Sequence, residues 1–198
     1  TSPAEVVLAN LVEHSGGSVA VHGTQGDDNF VFDASSGSTI TIKDVEYSFS
    51  PAAASTFSFD GLGGSDDVHF IGSPGADTAT LRPTWGAMTG QGYSLEVANI
   101  ESIDYDGGPG DTVTIWGSKG TNTYLAKPGS GEMTGDGVSI SVTAESIYCR
   151  GNGGGDTVLF EDSDGDDVLE FFPIWARMRG DGYFQHVRGF KTMKADAE

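Results

Sequence analysis

A fixed period of 45 residues runs through the chain and restricts the possible folds more than composition or charge does. Asp66-Asp67-Val68, Asp111-Thr112-Val113 and Asp156-Thr157-Val158 share one register. The same landmarks follow each of them: Gly75, Gly120 and Gly165, then Pro83, Pro128 and Pro173, then Met88, Met133 and Met178. The pairs Gly90/Gly92, Gly135/Gly137 and Gly180/Gly182 come next, and then Val97, Val142 and Val187. A period of ~20–50 residues marks a solenoid, propeller or array, in which each unit buries its apolar face only against its neighbours. A degenerate copy precedes these three. Val19, Val21, Gly23 and Gly26 match Val113, Ile115, Gly117 and Gly120, and the pattern is lost until Asp60-Gly61. The expected organisation is one repeat domain over 1–198, with a cap (1–15), a degenerate copy (16–61) and copies 62–106, 107–150 and 151–198.

Within one copy, alternation predicts strands. Asp111–Trp116 sets Val113 and Ile115 against Thr112 and Thr114, the pattern of a half-buried strand. Thr123–Lys127 is a second strand, closed by Pro128, which cannot donate to a ladder. Glu132–Thr134, Val138–Val142 and Ser146–Cys149 supply three more. Five strands of typical length fit about two coils of a parallel β-helix. The fold expected is therefore all-β, a repeat solenoid resembling a parallel β-helix or β-roll. Antiparallel propeller-like blades are the alternative, disfavoured because closed propellers typically need ~4–8 copies. At the N-terminus Ser2-Pro3-Ala4-Glu5 reads as a capping box with proline at the first helical position. Val7, Leu8, Leu11 and Val12 would then form the stripe of a short capping helix over Thr1–Ser15, with an extra strand as the competing reading.

The 30 glycines and the wealth of Val, Thr, Ile, Tyr and Phe suit short strands and tight turns. No run of 18 apolar residues occurs, so no membrane-spanning helix is expected. The chain starts at Thr1 without a Met and stops where another unit could begin, which is the expectation for a mature module of a larger protein. Twenty-nine acids against 10 bases give a net charge of −19, which argues against nucleic acid and anionic lipid as partners. The acids are mostly Asp and sit at turns, where both Asx turns and hard-cation sites use them. The lone Cys149 excludes an intrachain disulfide and reads as a small buried hydrophobe.

The chemistry candidates are those turns. Gly61–His69 and Gly151–Leu159 each miss only the second Gly of the nonapeptide G-G-x-G-x-D-x-U-x. Gly23–Val31 keeps the first and fourth Gly, the Asp and the apolar residue, and Gly72–Asp77 and Gly117–Asn122 are weaker versions. Asp162, Asp164, Asp166 and Asp167 place four carboxylates in six residues. On these elements the chain resembles the RTX, or haemolysin-type, calcium-binding repeats of secreted bacterial proteins. It is also similar to the Gly/Asp-rich repeat modules of large bacterial surface proteins. The RTX resemblance implies Ca²⁺, a hard cation that accepts mixed carboxylate and carbonyl ligands. The candidate ligands are Asp27, Asp28, Asp66, Asp67, Asp77, Asp111, Asn122, Asp156, Asp162, Asp164, Asp166 and Asp167. One departure stands out. RTX turns run in uninterrupted tandem, whereas here Asp66 and Asp77 are 11 residues apart and the next pair starts at Asp111. Stacking of copies would still bring Asp66, Asp111 and Asp156 into one column, which needs a cation or solvation to relieve repulsion.

Trp85 and Trp175, like Tyr93 and Tyr183, are equivalent positions 90 residues apart. Exposed in a row they would stack on sugar rings; buried, they would cover bare glycine backbone. The Val68/Val113/Val158 and Val97/Val142/Val187 sets read as core. Arg177, Arg179, Arg188, Lys191 and Lys194 gather in the last copy, where they would offset the Asp162–Asp167 charge or meet a neighbouring domain. No G-x-S-x-G, H-E-x-x-H or P-loop pattern occurs, and the four His fall at unrelated repeat positions, so catalysis is not expected. A polysaccharide lyase or hydrolase is the least favoured reading. The function expected is that of an extracellular or cell-surface structural module, calcium-stabilised, serving as a spacer or adhesion segment. Its partners would be neighbouring domains or surface glycans, with a carbohydrate-binding module as the alternative.

Overall fold

In the computed structural model, which describes residues 11–163 and 165–196, every regular element is a strand. Val12–Ser15 (β1) precedes the degenerate copy, which contains Ser18–His22 (β2), Asn29–Asp33 (β3), Ser38–Ile42 (β4), Val45–Phe49 (β5) and Thr56–Asp60 (β6). The next copy holds Asp67–Ile71 (β7), Thr78–Arg82 (β8), Trp85–Gly90 (β9), Tyr93–Ala98 (β10) and Ser102–Asp106 (β11). Then come Thr112–Trp116 (β12), Thr123–Lys127 (β13), Ser130–Gly135 (β14), Val138–Thr143 (β15) and Ser146–Arg150 (β16). The last copy holds Thr157–Glu161 (β17), Val168–Phe172 (β18), Trp175–Gly180 (β19), Tyr183–Arg188 (β20) and Thr192–Asp196 (β21). The five strands read from the middle copy are all present, with ends shifted by a residue or two. Most of the expected N-terminal helix lies outside the described residues. Its last part, Val12–Ser15, is a strand antiparallel to β2, the competing reading.

The strands form two sheets, of 11 and 10 strands among the described residues, facing each other across one core. The first sheet runs β1-β2-β6-β10-β9-β8-β12-β16-β20-β19-β18, and the second β21-β17-β13-β14-β15-β11-β7-β3-β4-β5. Each copy has one plan. A single strand lies in one sheet, three consecutive strands form a meander in the other, and a last single strand returns to the first. The chain thus coils as a β-solenoid of about five turns with a spacing near 37 residues. Pairing between coils is parallel, as in β7 between β3 and β11, and pairing inside each meander is antiparallel, as in β8-β9-β10. The solenoid expectation holds, with antiparallel meanders inserted into its parallel ladders.

The landmarks of the 45-residue period are the turns of these meanders. Pro83, Pro128 and Pro173 open the first turn, where proline's fixed φ suits the leading corner. Gly92, Gly137 and Gly182 close the second with φ of +86°, +76° and +73°. Because each copy starts in the opposite sheet from the last, successive copies exchange faces. Val68 and Val158 therefore lie in the second sheet and Val113 in the first. All three are buried, as are Val97, Val142 and Val187, so these sets are core although they are not continuous columns. Inward positions carry β-branched and aromatic residues, including Phe30 stacked on Phe59 with ring centroids 4.4 Å apart and the fully buried Tyr105 and Tyr124. Each such aliphatic or aromatic side chain contributes roughly 1.5–3 kcal/mol by leaving water. Cys149 is buried in this core.

Candidate functional site: acidic arches and an arginine face

The sheets are joined at their edges by arches with a common construction. A Gly ends the strand, and an Asp or Asn five residues on is buried beneath the turn: Gly23/Asp28, Gly61/Asp66, Gly72/Asp77, Gly117/Asn122 and Gly151/Asp156. One side-chain oxygen accepts from its own arch. Ser118 N–H donates to Asn122 Oδ1 at 3.2 Å and Asn152 N–H to Asp156 Oδ2 at 3.0 Å. In the arch of Asp111, Gly108 N–H donates to Oδ2 at 2.7 Å and the Tyr105 hydroxyl at 3.0 Å. In Asp66, Asp111 and Asp156 the other oxygen reaches the adjoining coil. Asp28 N–H donates to Asp66 Oδ1 (2.8 Å), Asp77 N–H to Asp111 Oδ1 (2.7 Å), and Asn122 N–H to Asp156 Oδ1 (2.8 Å). Glu101 and Glu145 continue two of these columns by accepting from Asp66 N–H and Gly110 N–H. The glycine is required sterically. A Cβ on Gly61 would stand 2.4 Å from Asp66 Oδ2 and 2.3 Å from the carbonyl oxygen of Asn99.

Asp66, Asp111 and Asp156 do not share one column. The alternation of sheets puts Asp111 on the opposite edge, and bonded arch partners are 34 to 38 residues apart rather than 45. The weaker turns at Asp77 and Asn122 are equal members of the system. Their amides bond to the first acid of the next copy. Most arch carboxylates are thus engaged by N–H donors, and among the described residues no three His, Cys, Asp or Glu side chains converge into a metal-binding group. Asp27 accepts from Ser65 N–H at 2.8 Å, and Asp67 is exposed. In the last acidic stretch Asp162 and Asp166 are exposed, Asp164 lies outside the described residues, and Asp167 accepts from Ser163 N–H at 3.3 Å. The hydrogen bonds from Ser163 hold the Asp167 carboxyl below its ordinary pKa.

Asp66 is the exception among the arches. Its Oδ2 is buried without a hydrogen-bond partner. The amide that would satisfy it, Leu62 N–H, donates instead to Asp60 Oδ1 at 3.1 Å, and Leu62 is left-handed at φ +67°. Burial, and then the charges of Asp28, Glu101 and Asp27, raise the Asp66 pKa against the opposing bond from Asp28 N–H. Asp28 goes the other way. Burial would raise it, but Lys43, whose Nζ lies 2.9 Å from Oδ1, and Thr24 outweigh that and hold it low.

The aromatic candidates divide. Tyr93 and Tyr183 are buried, their rings lying over Gly90 and Gly180, so neither offers a face to a ligand. Trp85 and Trp175 are half-buried on the outer side of the first sheet, where they join a row that the 45-residue register does not show. Cross-strand pairing runs Ala98–Trp85–Arg82, then Trp116–Arg150–Arg188–Trp175–Phe172. Arg82 Cζ lies 5.4 Å and Arg150 Cζ 5.0 Å from the Trp116 ring centroid. Trp175 stacks on Phe172 at 3.8 Å and on His186 at 5.2 Å. Arg177 and Arg179 point outward from β19 on the same face. All five arginines and all three tryptophans of the chain therefore share one face.

No protein-family model, curated protein or solved structure matches the chain.

Among the described residues no ion pair joins the arginines of the last copy to Asp162, Asp166 or Asp167. Arg177 pairs with Glu170, and among the described residues no ion pair engages Arg82, Arg150, Arg179 or Arg188. Arg82, Trp116 and Arg150 were missed as candidates because they recur every 34 residues, the coil step at these strands, and the 45-residue register separates them. His186, set among these arginines, has its pKa lowered by burial and then by Arg150, Arg188 and Arg177.

Proposed function

We propose that this chain is a structural module of a secreted or cell-surface protein, a β-solenoid segment that serves as a spacer or adhesive stalk. The observation that carries this reading is the direction of the arch hydrogen bonds. The polar residues singled out by the repeat connect one coil to the next instead of converging on a substrate. A ladder of strand pairing doubled by carboxylate–amide bonds at both edges gives a stiff rod, and 11 strands at ~4.8 Å make it about 50 Å long. Calcium enters this proposal at one place. Asp66 Oδ2 and the Asn99 carbonyl border the gap left by the missing Cβ of Gly61, and they supply two of the ~6–8 oxygens that Ca²⁺ requires.

The test is a thermal melt in about 10 mM Ca²⁺, well above the ~10⁻⁴–10⁻³ M Kd of extracellular modules, against excess chelator and a Mg²⁺ control. Occupancy at 100 times Kd adds about 2.7 kcal/mol, or a midpoint rise of ~5–10 °C at this chain length. Asp66→Asn should remove the rise. A wild-type shift no larger than that with Mg²⁺ eliminates the calcium site and leaves the arches as hydrogen-bonded turns. Antibody to the module should label intact cells of the producing organism; labelling only after permeabilisation rules out the surface role.

A further inference from the structure

We propose that the outer face of the first sheet, from β8 to β19, is a docking surface for an anionic polysaccharide of the polyuronate type. The proposal needs the fold alone, and neither calcium nor the surface role. In a chain with 29 acids against 10 bases carboxylates are plentiful, yet four of the five arginines have no ion pair among the described residues. Arg150 and Arg188 stand directly opposite each other on adjacent parallel strands. Like charges so placed repel, and among the described residues no ion pair relieves the repulsion. A ligand carboxylate between the two guanidinium groups would.

The geometry favours carboxylates over other anions. Arg82 and Arg150, from the strands on either side, both lie against the Trp116 ring, and Phe172 and His186, likewise from the flanking strands, both stack on Trp175. The rings are therefore not platforms for nucleobases or for sugar stacking. They support the guanidinium groups, and an arginine that packs against a ring keeps N–H donors free for bidentate carboxylate recognition. Five successive strands from β8 through β12, β16 and β20 to β19 carry Arg82, Trp116, Arg150, Arg188 and Arg177. At ~4.8 Å per strand this strip is about 20 Å long, and one sugar ring is about as long as one strand spacing. A polyuronate thus presents roughly one carboxylate per strand. Duplex DNA, with a charge every ~1.7 Å, would carry far more negative charge onto the surrounding acidic surface than five arginines offset.

The experiment is native electrophoresis through gels containing polygalacturonate, neutral dextran or single-stranded DNA, run in excess chelator so that calcium plays no part. Retardation is expected in polygalacturonate alone and should weaken steeply from low to moderate salt. Arg150→Gln/Arg188→Gln should weaken it by about ten-fold or more, while Lys127→Gln/Lys194→Gln on the opposite face should leave it unchanged. Because the arginine change removes a repulsion, that variant should melt no lower than wild type, which excludes unfolding as the cause of lost binding. Migration unaffected by polygalacturonate, equal retardation of the arginine variant, or retardation by single-stranded DNA in its place would each overturn the proposal.

Discussion

The two outer faces of this solenoid are built on the same plan and carry opposite chemistry. On the second sheet the outward positions bear Asp67, Asp104, Asp106, Glu132 and Glu161; of the bases among them His69 and Lys127 are paired with acids, and Lys194 has no ion pair among the described residues. His69 Nε2 lies 2.9 Å from Asp106, and Lys127 Nζ lies 2.9 Å from Glu161. On the first sheet the outward positions from β8 onward bear the arginines and tryptophans, with Arg177–Glu170 as the one ion pair there among the described residues. The fold demands apolar residues only on the inward side of each strand. Outward positions are therefore free to differ, and a charge left without a partner on one face is information that folding did not require.

That contrast can be broken first at the frame the faces share. Asp111→Ala removes a buried carboxylate that accepts from Gly108 N–H, Asp77 N–H and the Tyr105 hydroxyl. Leaving these donors unpaired should cost about 3 kcal/mol in chemical denaturation. A loss as small as that from a surface substitution would mean that the arches do not tie the coils together.

A smaller effect of opposite sign is expected at Asp66. In chelator, Asp66→Asn should stabilise by about 1 kcal/mol, because an amide in place of a buried, unpartnered carboxylate oxygen relieves desolvation. The pH dependence follows. A raised folded pKa favours the protonated acid, so the stability associated with Asp66 is present below its unfolded value of 3.8 and is lost as pH rises through the folded value. Asp28, held low, contributes above 3.8 and loses its contribution as pH falls through its folded value. Denaturation of Asp66→Asn and Asp28→Asn across the acid range should therefore bend in opposite directions from wild type.

The faces themselves should differ by less. Arg150→Gln is expected to raise stability by about 0.5 kcal/mol, whereas Lys127→Gln, which breaks a pair, should lower it by about as much. Equal signs would dissolve the contrast. The smallest effect is at His186. Its lowered pKa means that stability is lost as pH falls through the unfolded value of 6.5. In the Arg150→Gln/Arg188→Gln variant an NMR titration should find the His186 pKa moved upward, toward its ordinary value.

Much of the fold was legible in the sequence because strand alternation and turn residues act locally. Thr112–Trp116 declares its inward and outward sides, and Pro128 and Gly137 mark their turns without help from distant contacts. What could not be read is which strand lies beside which. Parallel and antiparallel neighbours demand the same alternation, so the meander β13-β14-β15 looks no different in sequence from strands that leave for the other sheet. That gap misplaced the acidic column, since Asp111 belongs beside Asp77 and Asp66 beside Asp28. It also hid the arginine row, whose members become neighbours only when the coil steps of 34 and 38 residues are known. The burial of Tyr93 and Tyr183 was foreshadowed by Gly90 and Gly180, whose bare backbone leaves room for a ring.

The exchange of sheets between successive copies gives this architecture a parity. Trp85 and Trp175 meet on one side because two repeats, and not one, separate them. A duplication or deletion of a single unit would shorten or lengthen the rod and also carry every residue beyond it to the opposite side, splitting any surface assembled across the junction. Only changes by pairs of units leave such a surface whole. Chains of this construction that use one side for recognition are therefore expected to grow in steps of two.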